Sequence, residues 1–456
     1  MRKSIGLSFV YLALVSLLAA LFFGCIGAFQ YIMPELLRDS FPFYKIRPLH
    51  VSLIVAWIFL ASVGGIYHAL PRILQKPLYS NKLAIWHYWI FLITGVVIII
   101  SYLFGYFGGR EYWAFSPILA IPIIISWFFL IINFFTTIKG YRIELCEDKN
   151  GTSKLVWPVY IWMWATGIIF FFLTFIEAYL WLIPYFRENI IGELTVQWKA
   201  YGSLVGSWNM LVYGLAIYVM EKTSDTRISS MPLTYSLFFL GFINLLLGWS
   251  HHIYIIPAAK WIRLLGYAIS MTELIVLAKI IWDWKGILKQ GKKHIHSIPY
   301  RFLLSSDFWI ITNLIVAIII SIPAINIYTH GTHITVAHAM GSTIGINTMI
   351  LLASIFYMVS ENRKEDYSET ELKLIYRGFW LTNISLAIFW TTLIASGVVK
   401  SYYTLEDMPF QQIMNSLHSY FIVFAISGMS LLIGIVMIVI PLLSKLSANQ
   451  LAENEQ

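Results

Sequence analysis

The stretch G-F-I-N-L-L-L-G-W-S-H-H, Gly241–His252, is an apolar run that ends on two adjacent histidines. Its first part belongs to a segment of about 20 mostly apolar residues, the length needed to cross roughly 30 Å of hydrocarbon. Runs of the same kind recur on both sides of it and fill nearly the whole chain. They number about twelve, centred near Leu17, Ala61, Gly95, Trp127, Phe170, Leu211, Phe242, Ser270, Val316, Thr348, Ala387 and Gly428. The 456 residues are 59% hydrophobic, 17% aromatic and 12% charged, with mean hydropathy +0.74. So few polar side chains cannot cover a soluble domain. The expected fold is an all-α integral membrane protein of about twelve transmembrane helices, a single polytopic membrane domain over 1–456 with no soluble domain.

The first run follows Met1, Arg2 and Lys3 as a signal peptide would, but it continues to about Met33 without an A-x-A-like cleavage site and reads as a retained helix. Basic residues crowd alternate loops, for example Lys139, Arg142, Lys149 and Lys154, then Lys285, Lys289, Lys292, Lys293 and Arg301. The positive-inside rule then places both termini in the cytoplasm. On that reading the net charge of +8 is a topology signal at the inner leaflet rather than a nucleic-acid patch. Cys25 and Cys146 are the only cysteines, which excludes a disulfide framework and a c-type heme motif. His294 and His296 form H-x-H in the basic stretch, where a metal site is the alternative and a solvated loop the simpler account.

A ligating side chain inside a bilayer is costly and marks a functional site until a partner explains it. With both termini inside, His50 begins helix 2, His251 and His252 close helix 7, and His338 stands early in helix 10. Three stretches of chain thus bring imidazoles to the outer half of the membrane, as a cluster of heme iron and first-row metal requires. A helix–helix hydrogen bond explains His50 alone equally well. It suits the adjacent pair less, because successive helix positions point about 100° apart and both serve one ion only at a distorted or terminal turn.

These residues carry a family likeness. R-P-L-H at Arg47–His50, G-G-R-E-Y at Gly108–Tyr112, G-W-S-H-H at Gly248–His252, S-M-T-E at Ser270–Glu273 and H-G-T-H-I-T-V-A-H at His330–His338 occur in order. Together they resemble the catalytic, heme b-binding subunit of nitric oxide reductases in the heme-copper oxidase superfamily. The resemblance implies a subunit I-like helix bundle. It implies that His50 ligates a low-spin heme, that His338 is the proximal ligand of a high-spin heme, and that His251 and His252 bind a non-heme metal facing it. Glu111 matches a glutamate that holds calcium, and Glu273 an acid tied to proton delivery. Without the family, Glu111 reads as a loop carboxylate paired with Arg110, and Glu273 as a helix-packing hydrogen bond.

The chain departs from the family pattern twice. Met340 stands where a second low-spin ligand is a His. A thioether is an acceptable axial ligand that raises a heme's reduction potential; ordinary packing of Met340 is the alternative, with His333 as a substitute ligand. In helix 6 the family places a His where this chain has Asn209, with Tyr213 four residues on and on the same face. An amide oxygen is a poorer ligand than imidazole for iron or copper. A His-to-Asn change there resembles reductase relatives proposed to dismutate nitric oxide into dinitrogen and dioxygen; those relatives usually carry a fused N-terminal domain.

The resemblance implies two b-type hemes, a non-heme iron with copper as the alternative, and calcium. It implies a small gaseous substrate, reduction of nitric oxide to nitrous oxide, and a bacterial cytoplasmic (inner) membrane location with the site in the outer half. The absence of C-x-x-C-H makes the expected electron donor a separate membrane-anchored cytochrome c subunit. The competing readings are a nitric oxide dismutase-like variant, a terminal oxidase using Tyr213, and a heme protein with a decayed binuclear site.

Overall fold

The computed structural model describes residues 5–140, 143–144, 155–253, 256–257, 259–269, 272–362 and 367–452. Among them, eleven helices are long and apolar enough to cross a membrane. The helices used below are α1 (Ile5–Gln30), α2 (Phe43–Leu74), α3 (Asn81–Leu103), α4 (Ala120–Ile138), α5 (Val159–Glu177), α6 (Ile190–Ser224) and α7 (Pro232–Leu247). They continue with α8 (Lys260–Ile269), α9 (Thr272–Ile287), α10 (Ser297–Ser321), α11 (His333–Met340), α12 (Met349–Asn362), α13 (Glu369–Leu405) and α14 (His418–Ala452). The apolar run centred near Ser270 is represented by α8 and α9, which flank residues 270 and 271, outside the described residues. Cys146 and the side chain of His294 also fall outside them. The only paired strands among the described residues join Ile143–Glu144 to Leu155–Val156.

Local chemistry sets the helix ends. Ser80 Oγ accepts from the Leu83 amide at the start of α3, and Asn189 Oδ1 accepts from Gly192 at the start of α6. Ser368 and Glu371 form a reciprocal capping box at α13. Such caps satisfy amides that the first helical turn leaves without partners.

Burial grades the helices into an inner and an outer set. The most apolar windows of α2, α6 and the segment His333–Glu361 are 72%, 83% and 89% buried, against 22% for α3 and 33% for the span containing α4. The inner three carry His50, then Asn209 and Tyr213, then His338 and Met340. The outer helices expose Trp86, Trp89, Ile93 and Ile125, which in a bilayer is the lipid-facing pattern.

Small residues let α6 approach the end of α7. A Cβ on Gly202 would lie 2.4 Å from Trp249 Cβ, and one on Gly206 would lie 2.7 Å from Leu245 Cα. The pair forms G-x-x-x-G, a spacing that brings helix backbones together in membranes. Gly202→Val is expected to cost about 1–3 kcal/mol through overpacking, read as a lower thermal unfolding midpoint in detergent. Gly95→Val, where nothing lies within 4 Å of the added Cβ, should leave that midpoint near wild type.

Candidate active site

The inner helices enclose a cavity of about 520 Å³. His50, Glu111, Asn209, Tyr213, Glu273, His338 and Met340 all line it. Seven of the residues singled out from the sequence therefore meet in one space. The side chains of His251 and His252 lie outside the described residues; their backbone belongs to a 3-10 turn, Gly248–Ile253, whose Gly248 and Trp249 also border the cavity. Among the described residues, no group of three or more His, Cys, Asp or Glu is placed to hold a metal ion.

His50 stands two turns into α2, just after Pro48, and its Nδ1 lies 2.7 Å from the carbonyl oxygen of Ala20 on α1. A carbonyl only accepts, so Nδ1 carries the proton and donates, and Nε2 keeps its lone pair. Ring orientation by a backbone carbonyl is the usual support of a metal-ligating imidazole. On α11, His338 and Met340 are two positions apart and so point roughly 200° apart. One helix thereby offers an imidazole to one side and a thioether to the other. The Nδ1 of His338 is buried with no hydrogen-bond partner, an unmet polar atom of the kind a bound group or water relieves. An imidazole with a free lone pair, a second unpartnered imidazole and a thioether around one cavity fit heme iron. His333, the substitute ligand that the sequence offers, packs 5.3 Å from the Phe421 ring and does not line the cavity.

Asn209 and Tyr213 share one face of α6, and Tyr213 is almost fully buried. Asn347 Nδ2 approaches Asn209 Oδ1 at 3.4 Å. The amide oxygen of Asn209 thus faces a protein donor. Glu273 is buried on α9, with Oε1 accepting from Asn244 Nδ2 on α7 and Oε2 without a partner. Asn244 and Asn347 line the cavity as well, and the sequence reading passed over both. Their signal was present: a primary amide within an apolar run is costly unless bonded, and Asn244 sits inside Gly241–His252.

Glu111 pairs with Arg47, three residues before His50, while Arg110 pairs with Glu193. The reading of Glu111 made without the family pairs it with its neighbour Arg110. The structure differs because the turn at Gly108–Trp113, closed by a bridge between Arg110 and Trp113, sends the adjacent side chains to different helices. Glu111 and Arg47 are each about half exposed, so the pair contributes little stability and serves to tie this loop to the His50 helix. Tyr112, in the left-handed region at φ 63°, lies edge-on to Tyr201. Burial pushes its hydroxyl up to about 12, with Glu111 adding to the rise and Arg47 opposing it, so it stays protonated at neutral pH.

The profile of the cytochrome c and quinol oxidase polypeptide I family matches residues 4–430. The chain belongs to this family. It is a multi-pass, heme-dependent oxidoreductase of the heme-copper oxidase superfamily, with the all-helical subunit I-like bundle. A nitric oxide reductase subunit of Stutzerimonas stutzeri is 24% identical over 95% of this chain and 93% of its own length. A cytochrome c oxidase subunit 1 homolog of Agrobacterium tumefaciens (strain T37) is 21% identical over 91% of this chain and 80% of its own. A cbb3-type cytochrome c oxidase subunit of Stutzerimonas stutzeri is 22% identical over 78% and 75%. In fold, the chain is similar to a heme-copper terminal oxidase dimer solved by cryo-EM, with TM-score 0.77, 16% identity, and 97% and 83% of the two chains covered.

Proposed function

We propose that this heme-copper oxidase relative reduces nitric oxide: two nitric oxide molecules, two electrons and two protons give nitrous oxide and water. The observation that carries the reading is the convergence of His50, His338, Met340, Asn209 and Glu273 on one cavity. The near end-to-end alignment with a nitric oxide reductase subunit supports it further, since the oxidase relatives align over less of their length. In this reading His50 and Met340 hold a low-spin b-type heme, His338 holds a high-spin b-type heme, and His251 and His252 hold a non-heme iron, with copper the alternative. Those groups, when bound, supply electrons and Lewis acidity.

The chain's own residues do the rest. Asn244 holds one oxygen of Glu273 and leaves the other free in the cavity wall, so the carboxyl group can carry a proton to the bound gas. The apolar lining from Val51, Ile54, Leu237 and Ile344 favours a small apolar gas over water. Asn347, by donating to Asn209 Oδ1, engages the amide oxygen that would otherwise be a third, weak ligand of the non-heme metal. Glu111, beside Arg47, is the candidate calcium carboxylate. We further assign a single polytopic domain over 1–456, both termini in the cytoplasm, the site in the outer half of a bacterial inner membrane, and a separate membrane-anchored cytochrome c subunit as donor.

Asn209, standing where the resemblance places a metal-ligand His, also favours a second reading, a dismutase that releases dioxygen from nitric oxide. Metal and heme analysis of the purified protein, with nitric oxide turnover in the presence and absence of a donor, separates the two. Two b-type hemes, one further iron or copper and donor-dependent nitrous oxide are expected. Oxygen release without a donor would establish the dismutase instead, and hemes without a third metal would sink both.

A further inference from the structure

Directly after Met340 the helix changes register: Gly341–Thr348 is π-helical for eight residues. In a π-helix each carbonyl accepts from the amide five residues on rather than four, and such segments are rare and mostly one turn long. The junction therefore needs outside support. At the junction the Gly341 N–H is shared between the carbonyls of Ala337 and His338, a three-centre bond where the register changes.

Asn313, fully buried on α10, braces this junction from outside. Its Nδ2 donates to the His338 carbonyl oxygen at 3.1 Å and to Ser342 Oγ at 2.9 Å. Its Oδ1 accepts from Trp390 Nε1 on α13 at 3.3 Å. The orientation of the amide is settled from both sides, because a carbonyl only accepts and an indole N–H only donates. Gly341 completes the arrangement: a Cβ there would stand 2.4 Å from Asn313 Oδ1.

The register change reaches further down the helix. Thr348 Oγ1 donates to Thr343 O five residues back at 2.8 Å and accepts from Trp57 Nε1 at 3.0 Å, while Asn347 meets Asn209. Shifting this segment by one residue would turn its side chains by about 100° and carry Asn347 away from Asn209.

We infer that Asn313, oriented by Trp390, is the positioning residue that locks the α-to-π junction and so sets both the aim of His338 and the engagement of Asn209 by Asn347. This rests on the reading of His338 as the high-spin heme ligand. Asn313→Asp keeps the shape and the Trp390 bond but loses both donors. The measurement is the iron–histidine stretching band in resonance Raman spectra of the reduced protein, with heme content and nitrous oxide turnover alongside. The expected result is full heme content, a shifted or broadened band, and turnover down roughly 10-fold to 100-fold, the scale of a small misplacement near a reacting centre. An unchanged band at full heme content would overturn the inference. If Asn313→Asp does not fold, Trp390→Phe decides: it removes the donor that holds Asn313 Oδ1 and loosens the amide against the His338 carbonyl, so a split or shifted band supports the lock and an unchanged one overturns it. Loss of the high-spin signal in His338→Ala shows that the heme reading itself stands; its persistence there would remove that reading and this inference with it.

Discussion

Replacing His338 with alanine is expected to leave a folded membrane protein that has lost its high-spin heme signal and all turnover, while keeping the low-spin signal. The imidazole sits on α11, a helix whose ends are held independently of it: Thr332 caps the N-terminus, and Gly341 packs on Asn313 at the other end. Removing the ring takes no hydrogen bond from the protein, since its Nδ1 has none. The fold should therefore tolerate the change. Loss of groups that merely support a ligand typically costs about 10–100-fold, and loss of the ligand itself must exceed that. The low-spin signal should persist because His50 is oriented by Ala20 on α1, and Met340 points to the other side of α11. Reduced-minus-oxidised spectra and heme extraction check both parts. A variant that keeps both heme signals would place the high-spin iron on another residue.

The sequence made the helices and the histidines readable for the same reason. Crossing hydrocarbon demands long apolar runs, and against such runs an imidazole at His50 or His338 stands out because it is costly there. The amides were harder to read. Asn209 and Asn347 are 138 residues apart, and what joins them is a register change in G-S-T-I-G-I-N-T, Gly341–Thr348, a stretch with neither proline nor charge to mark it. Asn313 reads as one more polar residue in an apolar helix until its bonds to the His338 carbonyl and Ser342 are seen. Pairing across loops was likewise hidden: Arg110 and Arg47 both precede candidate site residues, and only the fold gives Glu111 to Arg47 and Glu193 to Arg110. Composition and spacing report what each segment must bury. They do not report which buried polar atoms find each other, because that depends on helix rotation, and rotation is set by close contacts such as Gly202 on Trp249.

Met340→His carries the second large effect, on electron transfer rather than on binding. Met340 lines the cavity two residues from His338 and also packs against the hydrophobic core. If its thioether completes the coordination begun by His50, exchanging it for imidazole should lower the potential of the low-spin heme. A fall on the order of 0.1 V is expected, a fraction of the ~0.8 V that axial ligands span. At about 59 mV per tenfold for one electron, that changes the equilibrium for passing an electron onward by roughly 50-fold and makes the heme a stronger reductant. A potentiometric titration followed at the low-spin band reads the shift directly, and Met340→Leu separates ligation from packing. Leucine fills a similar volume and cannot ligate, so a ligand role predicts loss of the low-spin signal with little change in stability. A low-spin heme indifferent to both replacements would leave Met340 as core packing and require another partner opposite His50. The geometry makes the outcome informative in either case, because Met340 reaches the cavity from the face of α11 opposite to His338, and its replacement should therefore leave the high-spin signal where it was.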